Sequence, residues 1–392
     1  MAADGCWQCF PFGRRTDVRA SRKGGITSLM SGRSDTVYFD AEEGTSHHDH
    51  LFVHAYKFTR LVDQSVHSLA SSLVPSFSSV SPPPPTSPSG GSWLGTTIPE
   101  RCAGQGLAGS GCSWSRGDGS GFQIRDSCRN GRVSKIGSSG ALYECMSVDV
   151  VRSGCKVSEV LGRLVPVPSS QSTQRNGELG WWPGCPLPRV LCVVAQLPEQ
   201  VGPVFGEHPA EDAGVSIVTI FRIKPETIRV LRSCRWPADL RMFVDFVKAG
   251  KTDLPTDRGG SKTSGLMKAV AAVGNLEEVG VPKLLLPTVR KYSGKPCLIT
   301  KSGTVFKDPS GEWLEIDIDL RRFCRLARTM LVSLRDLLPR SSVHCGFTIQ
   351  GCDDDELPEG IVCDMWLHNI NLKDDPRQIE AQHRGTGPGR QQ

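Results

Sequence analysis

Residues 313–338 read WLEIDIDLRRFCRLARTMLVSLRDLL, and two hydrophobic periods follow one another in that stretch. First, Leu314, Ile316, Ile318 and Leu320 alternate with Glu315, Asp317 and Asp319. A period of two marks a β-strand with unlike faces. The aliphatic side chains define a core face; the carboxylates define a face that is either solvent-exposed or paired with arginine. The period then lengthens. Phe323, Leu326, Ala327, Met330, Leu334 and Leu337 recur at three- and four-residue spacing. They form the apolar stripe of an amphipathic helix over 322–338, which Pro339 stops. Arg321, Arg325, Arg328 and Arg335 cluster on the side opposite the stripe. Such a charged side is in the first instance a solvated face.

Working outward, 296–301 reads as a strand joined to 312–319 through the turn signal Asp308-Pro-Ser-Gly311. Strands at 343–350 and 361–370 follow the helix and enclose the acidic run Asp353-Asp-Asp-Glu356. The order β-β-α-β-β predicts an α+β domain, a mainly antiparallel sheet with the helix packed on one face. Upstream, 189–197 and 215–223 read as strands, the latter from its β-branched run. A helix is predicted over 238–248, after Pro237. The stretch 142–151 is equally compatible with a strand and a short helix. Residues 250–281 read as a long loop with some helix around 266–273.

The chain has 392 residues, 38% of them hydrophobic, with 42 Gly and 27 Pro. The apolar deficit is concentrated at the N-terminus, so residues 1–111 read as a low-complexity, mostly disordered region. A folded domain is expected over 112–382 and a disordered tail over 383–392. Within the first region Ala55, Phe58, Val62, Val66, Leu69 and Leu73 give an amphipathic helix at 51–73. Pro82-Pro-Pro-Pro85 lies in the linker that follows.

The net charge of +5 is small and evenly spread, which argues against nucleic acid as a partner. Fifteen cysteines suggest a disulfide scaffold. The odd count, the length, and an N-terminus lacking a signal peptide's apolar core favour a reducing compartment with thiols as small hydrophobes. The longest apolar run, around 190–197, is far short of the roughly 20 residues that cross a bilayer. The expected location is cytoplasmic, with peripheral membrane attachment as a further expectation.

Few motifs carry chemistry. Gly104-Gln-Gly106-Leu-Ala-Gly109 matches the dinucleotide fingerprint by letter. It lacks the preceding strand and following helix and reads as linker. His47, His48, His50 and His54 read as a solvated helix start rather than a metal site. Glu315, Asp317 and Asp319 are spaced too loosely along a strand to share one cation unaided. No cofactor, metal or catalytic residue is expected, and the chain is read as a non-enzyme. Cys6 and Cys9 sit among Trp7, Phe10 and Phe12 and precede Arg14, Arg15, Arg19, Arg22 and Lys23. Acylatable thiols, interfacial aromatics and a basic patch are the parts of a two-signal membrane anchor. A plain disordered tail has the same composition, and both readings stand at this point.

Lys295-Pro-Cys-Leu298, the strand Trp313–Asp319, and Asp355-Glu-Leu-Pro-Glu359 with its closing strand resemble the Enhanced Disease Resistance 2 C-terminal domain family. Leu314, Glu315, Asp317 and Asp319, with Glu356, Leu357, Pro358 and Glu359, are the motif residues of that resemblance. Lys283-Leu-Leu-Leu-Pro287 extends it upstream, and weaker likeness reaches about residue 112. Leu320-Arg-Arg-Phe323 replaces the small residues usual in the family after the acidic strand. Family members often carry the domain behind pleckstrin-homology and START domains. The resemblance therefore implies a non-catalytic, lipid- or membrane-associated regulatory module. Arg321, Arg325, Arg328 and Arg335 are then the candidates for anionic headgroups. Two alternatives remain: a protein-interaction scaffold using the proline tract and acidic loop, and an enzyme of unknown type.

Overall fold

The computed structural model describes residues 95–379, apart from 96, 102–110, 130–131, 155, 165–179, 200–213, 234, 250–260, 263–266, 284, 300–301, 324, 352–353 and 374–375. Two sheets face each other. The first has five strands in the order β1 (Ser113–Arg116), β13 (Ile361–His368), β12 (Ser342–Ile349), β8 (Met267–Val273) and β9 (Cys297–Leu298). The second has seven, in the order β14 (Arg377–Ile379), β4 (Tyr143–Ser153), β6 (Gly214–Ile223), β5 (Val190–Leu197), β11 (Trp313–Asp319), β10 (Gly303–Lys307) and β7 (Ser261–Lys262). A separate hairpin, β2 (Ser120–Arg129) and β3 (Arg132–Ser139), lies outside the first sheet. Four α-helices are described: α1 (Pro225–Arg232), α2 (Ala238–Ala249), α3 (Leu286–Tyr292) and α4 (Arg325–Arg335).

The α+β class holds, and pairing is antiparallel except for β5 with β11 and β4 with β14. The β-β-α-β-β order is distributed differently from the expectation. β10 and β11 belong to the seven-stranded sheet and β12 and β13 to the five-stranded one, so α4 carries the chain between sheets. The Asp308 turn closes the β10–β11 hairpin, with Asp308 Oδ2 accepting the N–H groups of Ser310 and Glu312 at 3.1 Å each. The strand expected at 296–301 shrinks to β9, which pairs with β8 across the other sheet. Of residues 266–273, expected to carry some helix, the described Met267–Val273 are strand β8, paired along its whole length with β12. Its Ala-Val composition has no strong local preference, and tertiary pairing decides its conformation. The ambiguous 142–151 is strand β4.

The main core fills the space between the sheets. Tyr143, Leu191, Phe221, Leu314 and Ile316 project from one side, Met267, Phe347 and Met365 from the other, and Leu240, Phe243 and Val244 of α2 join them. The tyrosine's hydroxyl donates to the Pro188 carbonyl at 2.7 Å, which satisfies the one polar atom it buries. A second cluster covers the outer face of the seven-stranded sheet. There Cys192, Val194, Val218 and Ile220 lie under Val157, Val160 and Leu161. Both faces of the central strands are therefore buried, as expected where parallel neighbours are covered from both sides. Cys145, Cys192 and Cys363 are free and buried, in keeping with thiols acting as small hydrophobes.

The β2–β3 hairpin docks through Phe122 and Ile124 onto Val270 and Ile361. Phe122 reaches the sheet because Gly346 has no side chain: a Cβ there would lie 2.8 Å from the phenyl ring. Gly346→Ala is therefore expected to cost about 1–3 kcal/mol, the usual penalty for overpacking. In a Phe122→Ala background the same change is expected to cost much less. Denaturant unfolding of the four chains of that cycle measures the coupling.

Candidate functional site

On β11 the alternation is as the sequence predicts, but the acidic face is not a solvent face. Glu315, Asp317 and Asp319 are 0%, 1% and 5% exposed. The covering segment runs from Lys156 into a π turn, Val160–Leu164. Glu159, at φ +52°, occupies the left-handed region that non-glycine residues seldom adopt, immediately before that turn. The N–H groups of Val160 and Leu161 each donate to Glu315, to Oε1 and Oε2, at 2.8 Å. These are donors that a helical turn cannot satisfy internally, and a carboxylate from the sheet below accepts them. Burial raises the Glu315 carboxyl pKa against the lowering effect of those two hydrogen bonds.

Asp317 is different. No N–H or hydroxyl of another residue donates to either of its oxygens, and its side-chain partner is the Glu315 carboxylate, to which a protonated Asp317 donates. Burial, then the charge of Glu315, push its carboxyl well above the ordinary aspartate range. Asp319 follows the arginine-paired alternative. Arg321 grips it through Nε at 2.8 Å and Nη2 at 3.1 Å, and Lys156 lies 3.8 Å away. Arg321 also reaches Gln196 Oε1 at 3.2 Å, and Gln196 donates onward to the Val157 carbonyl. The carboxylate row thus fastens the cover to the sheet. Among the described residues no cluster of three or more His, Cys, Asp or Glu side chains is arranged to hold a metal ion.

The second family segment is equally interior. Glu359 is 3% exposed and accepts Lys268 Nζ at 2.5 Å; Lys268 itself is 1% exposed. Its other oxygen accepts the Gly351 N–H at 2.9 Å and Arg125 Nη1 at 3.4 Å. Arg125 also donates to the Gly351 carbonyl at 2.9 Å, so one carboxylate joins the hairpin, β8 and the turn before β13. Leu357 and Glu356 are half-buried and Pro358 is exposed beside it, after a cis peptide bond.

The four arginines do not make one exposed face. Arg321 is committed to Asp319, and Arg328 is only 6% exposed. Arg325 is the first residue of α4. Arg335 stays partly exposed and donates from Nη1 to the Glu199 carbonyl at 3.2 Å. The expectation of a single solvated side fails because α4 is covered on more than its apolar stripe: Arg328 and Thr329 are buried as well as Phe323 and Ala327. Cys6 and Cys9, the histidines at 47–54, the helix expected at 51–73, the proline tract and the glycine motif lie outside the described residues.

What sequence reasoning missed is a cavity. It has a volume of about 190 Å³ and lies beneath α4, between Leu331, Leu334 and Leu337 on one side and Ala271, Val273 and Val343 on the other. Leu276, Val279 and Val281 of the loop after β8, Val289 of α3, and Leu197, Pro198 and Leu372 complete an almost wholly aliphatic wall. Arg335 is the one charged side chain in that lining. The apolar stripe of α4 was visible in the sequence; that it roofs a hollow depends on contacts from five distant segments.

On the outer face of the five-stranded sheet, His344 Nε2 meets Asp364 Oδ2 at 2.8 Å, between the rings of Phe122 and Trp366. His368 lies between Ser115 Oγ and Ser342 Oγ, at 2.8 Å from each. Burial and then Arg101 lower its pKa. A neutral imidazole donates through one nitrogen and accepts through the other, which matches a serine on each side. These contacts cross β1, β13 and β12 and brace the strands.

Two opposed sheets, buried acidic anchors and an aliphatic hollow beside one arginine define a small α+β domain with a candidate binding cavity. A family model described as Protein ENHANCED DISEASE RESISTANCE 2, C-terminal, matches residues 114–371. The chain belongs to that family, and the match includes both acidic anchors and nearly all of the cavity wall. No curated protein and no solved structure matches the chain.

Proposed function

We propose that this chain is a non-catalytic, lipid- and membrane-associated regulatory module. The observation that carries this reading is the aliphatic cavity, bordered by Arg335 and walled by elements that also bear exposed cations. Arg290 and Lys291 end α3, Arg340 follows the Leu337–Leu338 wall, and Lys373 follows Leu372; all four are exposed. Acidic side chains temper this charge, since Glu277 pairs with Arg290 and Asp336 with Lys373. Among the described residues no helix is long and apolar enough to cross a membrane, so attachment in this reading is by surface contact.

Co-sedimentation of the full chain with neutral and anionic vesicles tests the reading. Binding is expected to anionic vesicles only and to weaken several-fold between low and high salt. Changing Arg290 and Lys291 together to Glu is expected to reduce it at least tenfold, at about 1 kcal/mol for each basic residue near the surface. No binding to any vesicle in any salt would sink the membrane reading for this chain.

A scaffold reading has one observation in its favour. Asp354 and Asp355 are exposed on a short turn, Asp354–Glu356, that Arg241 fixes by donating to the Asp355 carbonyl at 2.8 Å. An exposed acidic turn suits a basic protein partner. Salt-resistant association with a soluble protein, without vesicle binding, would favour that alternative.

A further inference from the structure

The cavity wall is chemically lopsided. Besides Arg335 and Ser341, every lining residue is aliphatic or proline. Ser341 is already engaged, its hydroxyl donating to the Leu337 carbonyl at 2.8 Å. Of the five N–H groups of Arg335, one at Nη1 serves the Glu199 carbonyl, and Nε is buried without a hydrogen bond. The nearest carboxylate oxygen, Asp336 Oδ1, lies 3.9 Å from it and is held by Lys373 at 3.0 Å. A partly exposed guanidinium at the border of an aliphatic wall favours an anionic acceptor delivered with apolar material.

Size narrows the class. A volume of about 190 Å³ exceeds, modestly, the roughly 150 Å³ apolar cavity known to stay dry and admit benzene. It holds one chain of roughly six to eight carbons, and it is too small for two acyl chains or for a bulky headgroup. The wall has no aromatic side chain to stack a flat ring. A single cationic side chain in the lining suits a compact monoanion better than a phosphate dianion, which calls for several charged partners.

We infer that the cavity binds the single aliphatic chain of a fatty-acid-type carboxylate, with the carboxylate at Arg335. This assignment rests on the lipid-associated reading above and gives that reading its ligand class. The chain enters between α4 and β8, where Ala271 is solvent-accessible, and the carboxylate remains at the partly exposed edge occupied by Arg335.

Calorimetric titration of the full chain with hexanoate, octanoate, decanoate and dodecanoate tests it, alongside 1-octanol and octyltrimethylammonium. Affinity is expected to rise about fourfold per added methylene until the hollow is filled, and then to level off. Octyltrimethylammonium is expected to bind at least tenfold more weakly than octanoate. Ala271→Phe, which obstructs the accessible side of the wall, is expected to lower octanoate affinity at least tenfold with an unchanged thermal midpoint. Leu331→Phe serves as a second obstruction should the first disturb β8. Arg335→Met is expected to remove the preference for octanoate over 1-octanol while leaving the chain-length dependence intact.

No saturable binding, affinity that climbs through dodecanoate without levelling, or full binding by both obstructed variants would overturn the assignment. Vesicle binding without octanoate binding would also overturn it and would leave the membrane reading standing. Octanoate binding without vesicle binding would uphold the cavity assignment and remove the membrane surface as its partner.

Discussion

Replacing Glu359 by alanine is expected to lower the unfolding free energy by about 3–5 kcal/mol, the range for breaking a buried ion pair from one side. The carboxylate accepts Lys268, Arg125 and the Gly351 N–H, and its removal strands an ammonium that is 1% exposed. Lys268 already has a lowered pKa, because burial outweighs the raising effect of Glu359. In Glu359→Ala that raising effect is gone. A lysine whose folded pKa is depressed binds fewer protons in the native state than in the unfolded one. Stability therefore rises with pH between the depressed value and about 10.4, and the variant should recover partly as pH increases through that window. Lys268→Met is expected to cost less, because Arg125 and Gly351 still serve the carboxylate. Combining Lys268→Met with Glu359→Gln should restore most of the loss, since the buried ammonium is gone, the partly exposed Arg125 keeps the Gly351 carbonyl, and an acceptor for the Gly351 N–H remains. Urea unfolding at pH 7 and pH 9 gives all these values. A double variant no more stable than Glu359→Ala would show that packing, and not the stranded ammonium, dominates the cost.

How much of this could be read in the sequence depends on how local the determining physics is. The alternation at Leu314–Ile318 gave strand β11 its two faces correctly, since pleating is a local property. It could not report what lies above the acidic face. That depends on β5 as a parallel neighbour and on the cover at 156–164, more than 150 residues upstream. The helix pattern after Phe323 located α4, yet amphipathicity assumes one wet side, and Arg328 lies in a second buried one. Met267–Val273 failed for a complementary reason: Ala and Val alternate weakly, and pairing with β12 and β9 makes them a strand. Glu359 stood out as a family residue, but its partner Lys268 sat in the stretch whose sequence was least legible. The cavity had no local signal at all. Each of its aliphatic residues reads as ordinary core, and a hollow is a property of how such residues fail to meet.

Asp317→Asn, one pleat away from Glu315, is expected to do the opposite of Glu359→Ala and stabilise the fold at neutral pH, by about 1–3 kcal/mol. Asp317 is buried with no donor to its oxygens, faces the charge of Glu315 to which its protonated form donates, and has Lys156 as the opposing cationic influence. Its carboxyl is therefore held in the protonated form to well above the usual pH. The unfolded chain gives up that proton near the ordinary value of about 3.9, so between there and the raised native value the native state binds more protons. Stability then falls as pH rises through the window, by about 1.4 kcal/mol per pH unit for each proton released on unfolding. An asparagine keeps the shape of the neutral acid and has no proton to release, so its advantage over aspartate should be small near pH 4 and grow towards pH 7. Glu315→Ala is the contrasting change on the same strand face. It removes the acceptor of the Val160 and Leu161 N–H groups and should cost about 1–3 kcal/mol for each donor left buried. Thermal melts of both variants from pH 4 to pH 8 separate the two roles. If Asp317→Asn tracks the parent at every pH, the Asp317 carboxyl is not protonated in the fold. The cover at 156–164 would then rest on an ionised pair, with Lys156 as its balancing cation.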